Sequence, residues 1–335
     1  MKKTIVFLVS MALILGMFAG VCSAGDKVYR LKMQTYYSPT TYHIVKEFAR
    51  QVERMSGGQL KITVFAGGEL VSSSQMLQAV KSGTVDIGHG AGYYFSELKT
   101  GNIDCGLPMA WLNNTEVVVI HEKLGLTELL RKEYAKHGVY YFGPSFANTY
   151  NMLSSVPLTS IEDLKKVKIR AAGATSKLLR KLGCSTVYLP PEDIYVALST
   201  GQVDGVIYGG ALEYSMLKFY EQAKYYNTTP IINPIMETVF INQKLWDSMP
   251  DNLKAILETG ILKLRWGFYT DALGEEMKIR NTIFKGKLTS FPPEDIAKIT
   301  EAAVEIWDEE AKKSPECAQA VEMIKELNRM AGRLQ

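Results

Sequence analysis

The chain lacks the motifs that mark most catalytic, nucleotide and metal sites. Its 335 residues contain no Gly-x-Ser-x-Gly, no Walker-type loop and no Gly-x-Gly-x-x-Gly. The histidines are scattered without metal-ligand spacing, at His43, His89, His121 and His137. A catalytic triad is assembled in space, so missing motifs do not exclude an enzyme. The sequence nevertheless gives no positive sign of catalysis, and we expect no cofactor and no metal.

The chain also has few cysteines and a small net charge. The chain has 4 cysteines and no Cys-x-x-Cys, so neither a redox centre nor a zinc site is indicated. Lys+Arg is 38 against Asp+Glu 35, and so balanced a chain has no electrostatic reason to bind nucleic acid. Beyond the N-terminus, no run is apolar for the roughly 20 residues that a membrane-spanning helix needs.

Residues 1–24 predict a cleaved secretory signal peptide. Lys2 and Lys3 precede an apolar run from about residue 5 to 19, and small residues lead to Ala24. The run is shorter than the roughly 20 residues that a membrane-spanning anchor needs. Val21 is an unfavourable residue directly before a lipidated cysteine, which argues against lipidation of Cys22. The exported chain would keep three cysteines, which allow at most one disulfide and suit buried apolar positions: Cys105, Cys184 and Cys317.

The rest of the chain contains two segments of similar sequence. It is long enough and, at 47% hydrophobic, apolar enough to form two domains. Residues 76–88 resemble residues 194–206, each reading as a helix, a glycine that ends it and a short buried strand. Each copy extends backwards into a β-α-β-α-β unit. The predicted elements are strand 29–35, helix 41–55, strand 60–65, helix 73–81 and strand 85–89, then strand 167–171, helix 175–182, strand 186–189, helix 190–199 and strand 203–208.

Two such units predict an α/β protein with two lobes, each built around a parallel sheet with right-handed crossovers. A strand at 238–242 follows, and then a helix from 252 to about 284, far longer than the usual 11–12 residues, which we expect to brace both lobes. Helices 293–312 and 315–333 end the chain. We assign 25–147 plus 235–275 to lobe I, and 148–234 plus 276–335 to lobe II with the C-terminal helices.

Arg170 is the most conspicuous candidate for ligand binding. It lies near the end of a predicted strand, and open α/β sheets bind ligands beyond the carboxyl ends of their strands. An arginine among apolar neighbours is costly to bury without an anionic partner. That partner is either an internal Asp or Glu, or a ligand carboxylate, which a guanidinium holds through two parallel hydrogen bonds.

Aromatic side chains cluster at the same strand ends. These rings either pack with their polar atoms reaching water or close over a small organic acid. The candidates are Tyr36, Tyr37, His89, Tyr93, Tyr94 and Tyr208.

Several segments resemble the solute-binding proteins of tripartite ATP-independent periplasmic (TRAP) transporters. Residues 157–170, 201–205 and 239–250 carry this resemblance, which covers nearly all of the exported chain in order. Residues 89–95 and 138–144 are similar to the branch that binds α-keto and α-hydroxy acids. The resemblance implies a periplasmic receptor that closes on a small carboxylate by hinge motion and delivers it to membrane permease subunits.

The resemblance also implies roles for single residues. Arg170 would hold the carboxylate, Tyr208 matches an aromatic position of the keto-acid branch, and Asn148, Tyr150 and Asn151 would line the cleft. The branch typically has a glutamate before that aromatic residue, which helps bind a cation bridging the ligand. Here it is Ile207, so we expect binding without a cation.

The resemblance also implies the two-lobed fold of periplasmic binding proteins. Glu237 is only a remote substitute for the missing glutamate, and an aromatic or branched keto acid fits the candidate residues as well as pyruvate does. Two other functions remain open, a secreted enzyme with His89 as its base and a receptor for a sensor kinase. A homodimer through the C-terminal helices is also open.

Overall fold

The structure is a computed structural model that describes residues 27–38 and 42–334. The predicted signal peptide lies outside these residues. Within the described part of the chain, no helix has both the length and the hydrophobicity needed to cross a bilayer.

Eleven strands form two sheets in the described residues. In chain order they are β1 (Tyr29–Thr35), β2 (Leu60–Phe65), β3 (Ile87–Gly90), β4 (Val139–Phe146), β5 (Tyr150–Ser154), β6 (Lys168–Arg170), β7 (Ser185–Val187), β8 (Gly205–Ile207), β9 (Tyr225–Ile232), β10 (Met236–Asn242) and β11 (Leu288–Thr289).

The α-helices surround the two sheets. They are α1 (His43–Met55), α2 (Met76–Ser82), α3 (Gly101–Cys105), α4 (Asn114–Val118), α5 (Leu126–Lys136), α6 (Ile161–Leu164), α7 (Gly173–Lys181), α8 (Ile194–Ser199), α9 (Ala211–Met216), α10 (Gln243–Asp247), α11 (Asp251–Thr282), α12 (Pro293–Ala311) and α13 (Pro315–Met330). Single turns occur at Ser73–Gln75, Gly92–Tyr94, Pro191–Asp193 and Phe219–Glu221, with a π turn at Val119–Lys123.

The sheet topology confirms both β-α-β-α-β units but corrects the expectation of purely parallel sheets. The first sheet has the order β2-β1-β3-β10-β4, and β10 runs antiparallel to both of its neighbours. The second has the order β11-β9-β5-β8-β6-β7, and β5 runs antiparallel to β8 and β9. The antiparallel strands come from the segments that connect the two units, whose pairing partners are distant in sequence.

The repeated aspartate has the same structural role in both copies. Asp86 accepts a hydrogen bond from the backbone N–H of Lys32 at 2.7 Å, and Asp204 accepts one from that of Lys168 at 2.8 Å. The backbone N–H of each aspartate in turn donates to the carbonyl of the same lysine. Each aspartate therefore fixes the start of one strand against its parallel neighbour, and in both copies a glycine with positive φ ends the helix before it.

Two of the segments that connect the sheets lie side by side. One joins β4 to β5 and the other joins β9 to β10. The backbone N–H of Ala147 donates to the carbonyl of Ile235 at 3.1 Å, and the N–H of Ile235 donates to the carbonyl of Asn148 at 3.2 Å. The two crossings therefore form one hydrogen-bonded ribbon, to which we refer as the crossing ribbon.

The long helix contacts both sheets, as expected of a brace. Helix α11 packs against α1 and β4 on one side and against α9 on the other. At Gly260 it approaches α1 so closely that an added Cβ would lie 2.8 Å from Val52. A glycine is therefore required at this helix crossing.

The C-terminal helices also contact both parts of the chain. Helix α12 packs against α7, and its Ile299, Ala303, Ile306 and Trp307 are buried, while α13 packs against α5. All strands of the first sheet fall in 25–147 plus 235–275, and all strands of the second fall in the remainder. The lobe boundaries, with the C-terminal helices assigned to lobe II, remain a proposal.

Candidate functional site

A narrow cavity opens where the carboxyl ends of β1 and β8 meet the crossing ribbon. It holds about 370 Å³ of unoccupied space, counting the part open to solvent. Five of the ten candidate residues named from the sequence line it, and sequence reasoning did not assign the two carboxylates of its wall to the site. The lining residues are Tyr36, Tyr37, Ala147, Asn148, Tyr150, Tyr208, Gly209, Glu213, Leu217 and Glu237.

Glu237 is a central residue of the cavity wall. Its Oε1 accepts hydrogen bonds from the hydroxyls of both Tyr36 and Tyr37, and its Oε2 lies 2.9 Å from Nε2 of His89. Burial first, and then the Glu237 charge, raises the pKa of both tyrosines, which keeps them protonated donors. Strand β10 inserts between β3 and β4 and carries Glu237 into this position, an arrangement that no local sequence signal reveals.

His89 supports this wall from behind. Its Nδ1 lies 2.9 Å from the hydroxyl oxygen of Thr35, which accepts the backbone N–H of Tyr37. Because that hydroxyl already accepts one bond, its own proton is available for Nδ1, and His89 can then donate from Nε2 to Glu237. Both ring nitrogens are occupied, and His89 is only 1% exposed.

Glu213 is the second carboxylate in the wall. Its Oε2 accepts the backbone N–H of Gly210 at 2.8 Å and a longer bond from the amide of Asn148 at 3.4 Å. Burial, and next the charge of Glu276, raises the pKa of Glu213 to about 7. Glu276, by contrast, is well satisfied, since it is paired with Arg280 and accepts several other hydrogen bonds.

Arg170 is fully buried on β6 and forms no ion pair with any Asp or Glu of the described residues. Its Nε and Nη2 donate to the carbonyl of Leu189 at 2.9 and 2.7 Å, and Nη1 donates to the carbonyl of Ile207 at 3.2 Å. A guanidinium has five N–H groups, so one remains on each terminal nitrogen. The sequence left open two kinds of partner for Arg170, an internal Asp or Glu and a ligand carboxylate. Among the described residues, no internal Asp or Glu fills that role.

Tyrosines enclose the guanidinium. The rings of Tyr188 and Tyr208 each have their centres 5.6 Å from its central carbon, and Tyr188 is 50% exposed. Tyr94 lies within reach of its charge, but the buried hydroxyl of Tyr94 has no hydrogen-bond partner of ordinary geometry. Tyr208 contacts Arg170 and also lines the cavity, so it separates the two. Tyr188 follows β7, and the strand-end rule that identified the other rings would have found it.

Two predicted residues have different surroundings from those expected. The hydroxyl of Tyr93 lies 3.0 Å from that of Tyr150, which links the segment after β3 to β5 of the other sheet. Asn151 does not line the cavity, because its side chain points into the second sheet and donates to the backbone carbonyl of Asn227 at 3.1 Å. Asn151 therefore stabilises the pairing of β5 with β9.

The donor set does not fit a cation that bridges protein and ligand. Ile207 stands where the keto-acid branch has its cation-binding glutamate, and it offers only a hydrophobic side chain. The oxygens of Glu237 already face Tyr36, Tyr37 and His89. Across the described ranges, no three His, Cys, Asp or Glu side chains are grouped so as to hold a metal ion.

The sequence matches the family of bacterial extracellular solute-binding proteins, family 7 (DctP), over residues 33–314. A monocarboxylate 2-oxoacid-binding periplasmic protein of a Nostoc species is 26% identical over 315 residues, which cover 90% of this chain and 85% of the relative.

Two solved structures have the same fold. A TRAP periplasmic solute-binding protein of Chromohalobacter salexigens with bound (S)-2-amino-1-propanol has a TM-score of 0.85 and 26% identity, covering 90% of this chain and 96% of the other. A TRAP periplasmic solute-binding protein of Pseudoalteromonas atlantica with bound sodium and pyruvate has a TM-score of 0.84 and 25% identity, covering 91% and 95%.

Proposed function

Since the chain belongs to the DctP family of bacterial extracellular solute-binding proteins, we propose that it captures a small organic monocarboxylate and delivers it to the membrane subunits of a TRAP transporter. Family members are periplasmic receptors that act with permease subunits. The 2-oxoacid-binding relative and the pyruvate-bound structure support a keto or hydroxy acid, and the tyrosines of the cavity support an aromatic or branched one.

The observation that carries this proposal is the state of Arg170. A fully buried guanidinium without an acidic partner has lost hydration without regaining an opposite charge. Backbone carbonyls fix its orientation, and it retains one N–H on each terminal nitrogen. A carboxylate accepts such a pair of donors in a bidentate manner and restores the missing charge.

Closure of the two lobes would complete the site. Tyr36, Tyr37 and Glu237 belong to the first sheet or its loops, whereas Arg170 and Tyr208 belong to the second. A ligand that contacts both groups binds the closed form better than the open one and therefore shifts the population towards closure.

The surroundings of His89 argue against the secreted-enzyme alternative. A general base must reach the proton it removes, directly or through one water. His89 does not line the cavity, and both of its nitrogens are engaged by Thr35 and Glu237. No other histidine lines this cavity.

A thermal-shift screen of the chain without residues 1–24 tests the proposal. A ligand at a thousand times its Kd adds about 4 kcal/mol to the free energy of unfolding, which raises the melting temperature measurably. We expect carboxylic acids to raise it, and sugars or amines without a carboxylate to have no effect. The opposite pattern would contradict the proposal. Loss of uptake of the same acid in a deletion strain would distinguish a transport receptor from a sensor.

A further inference from the structure

The candidate site contains one buried arginine and two buried carboxylates, and none of the three is paired with an oppositely charged Lys, Arg, Asp or Glu of the described residues. Glu237 is 2% exposed and its hydrogen-bond donors are two tyrosines and a histidine. Within the described residues, no lysine or arginine forms an ion pair with Glu237 or with Glu213, which is 8% exposed. Arg170, as described above, has no acidic partner.

Tyr208 lies close to both groups. The ring centre of Tyr208 lies 5.6 Å from the guanidinium carbon of Arg170, and Tyr208 lines the same cavity as Glu213 and Glu237. A plain carboxylate would pair with Arg170 and would bring no positive charge to the buried carboxylates, whose ionised forms are costly to bury. A ligand with charges of both signs would provide a partner for both.

The rings around the carboxylates are also suited to a cation. Tyr36, Tyr37, Tyr150 and Tyr208 line the cavity, and the first two lie with ring centres 4.8 Å apart. Aromatic faces attract ammonium groups, most strongly where water is excluded. At the other end, the unpartnered buried hydroxyl of Tyr94 beside Arg170 provides a further donor for a carboxylate.

We propose that the ligand is a zwitterion, whose carboxylate binds Arg170 and whose ammonium or quaternary amine occupies the tyrosine-lined cavity beside Glu237 and Glu213. This inference rests on the proposed function, because it assigns a class of carboxylate to the same receptor site. It departs from the expectation of a keto or hydroxy acid.

Matched sets of ligands test the inference by isothermal titration calorimetry on the wild-type chain. One set is alanine, lactate and pyruvate, and a second is leucine with its 2-hydroxy and 2-oxo counterparts. A third compares 3-aminopropanoate, 4-aminobutanoate and glycine betaine with propanoate and butanoate. We expect at least one nitrogen-containing member to bind at least tenfold more tightly than its nitrogen-free counterparts. If no such preference occurs in any set, the inference is wrong.

Glu237→Gln should weaken the binding of the nitrogen-containing ligand at least tenfold more than it weakens the binding of the nitrogen-free counterparts, so that the preference is lost. Asp104→Asn is the matched control, since Asp104 is also a buried carboxylate that accepts two tyrosine hydroxyls, those of Tyr134 and Tyr141, and it does not line the cavity. Glu213→Gln serves as a second variant if Glu237→Gln does not fold. A preference that survives both substitutions would contradict the assignment.

The outcomes separate this inference from the proposed function. If nitrogen-free acids bind most tightly and a change at Arg170 abolishes their binding, the receptor assignment holds and only the zwitterion is excluded. If a change at Arg170 affects no ligand, the proposed function itself fails.

Discussion

Substitution of Arg170 separates its charge from its geometry. Arg170→Lys keeps a positive charge but cannot present two parallel donors, and Arg170→Ala removes both features. Truncating one partner of a buried, hydrogen-bonded charge pair costs about 2–5 kcal/mol, and each 1.4 kcal/mol is tenfold in Kd. We therefore expect Arg170→Ala to weaken binding by about two to three orders of magnitude. Arg170→Lys, which loses one charge-assisted bond of about 1.5–3 kcal/mol, should weaken it about ten- to hundredfold.

Stability should respond differently from affinity. Without ligand, Arg170 gains three hydrogen bonds to the carbonyls of Leu189 and Ile207 but suffers the desolvation of an unpaired cation. These effects oppose each other, so the melting temperature of ligand-free Arg170→Ala should change little. Arg265 is the matched control, because it is also buried and donates to a backbone carbonyl, but it is paired with Glu122.

Calorimetric titration with the best acid of the screen, together with melting curves of the ligand-free variants, measures both quantities. Arg265→Ala should lower the melting temperature and leave Kd within threefold of wild type. An Arg170→Ala variant that binds its acid within threefold of wild type would show that Arg170 does not hold the carboxylate.

Three further predictions concern pH, closure and thiols. Because the pKa of Glu213 rises from 4.5 to about 7 on folding, the folded state retains a proton that the unfolded state releases, and stability falls by up to roughly 3 kcal/mol as pH rises from about 5 to 7. Urea unfolding should therefore show that Glu213→Gln gains stability over wild type at pH 8 and not at pH 4.5; an equal difference at both would refute this. Tyr150→Phe and Tyr93→Phe should each weaken ligand binding two- to tenfold, with non-additive effects in the double variant, whereas additive effects would mean that the hydroxyl pair is not formed in the complex. Ellman's reagent should modify the free, buried thiols only after unfolding, and reaction in the native state would contradict their burial: Cys105, Cys184 and Cys317.

The sequence predicted those parts of the fold that depend on local signals. The β-α-β-α-β units were recognisable because glycines end their helices and short apolar strands follow, and the long helix because its pattern is uninterrupted. The strands β4, β5 and β9 were missed, since their pairing joins segments far apart in the chain. The sheets are mixed because β10 in the first and β5 in the second run antiparallel to both of their neighbours.

The candidate site divides in the same way. Arg170 and the strand-end tyrosines were identifiable because a charge or a ring at the end of an apolar strand is conspicuous. The position of Glu237 could not be predicted because it lies inside an apolar strand, and its place in the cavity wall follows from the pairing of β10 with β3 and β4. Its contacts with Tyr36 and Tyr37 cross about 200 positions of sequence, as their separations of 201 and 200 show.

The crossing ribbon bears on how the closing motion of the molecule can be measured. Two segments that are hydrogen-bonded to each other bend together, so we expect them to act as one hinge when the lobes close. Open and closed forms should then lie along a single coordinate. One dye on each side would suffice, and the efficiency of energy transfer between them would report ligand occupancy directly. The same geometry makes this chain a promising scaffold for an optical sensor of its ligand.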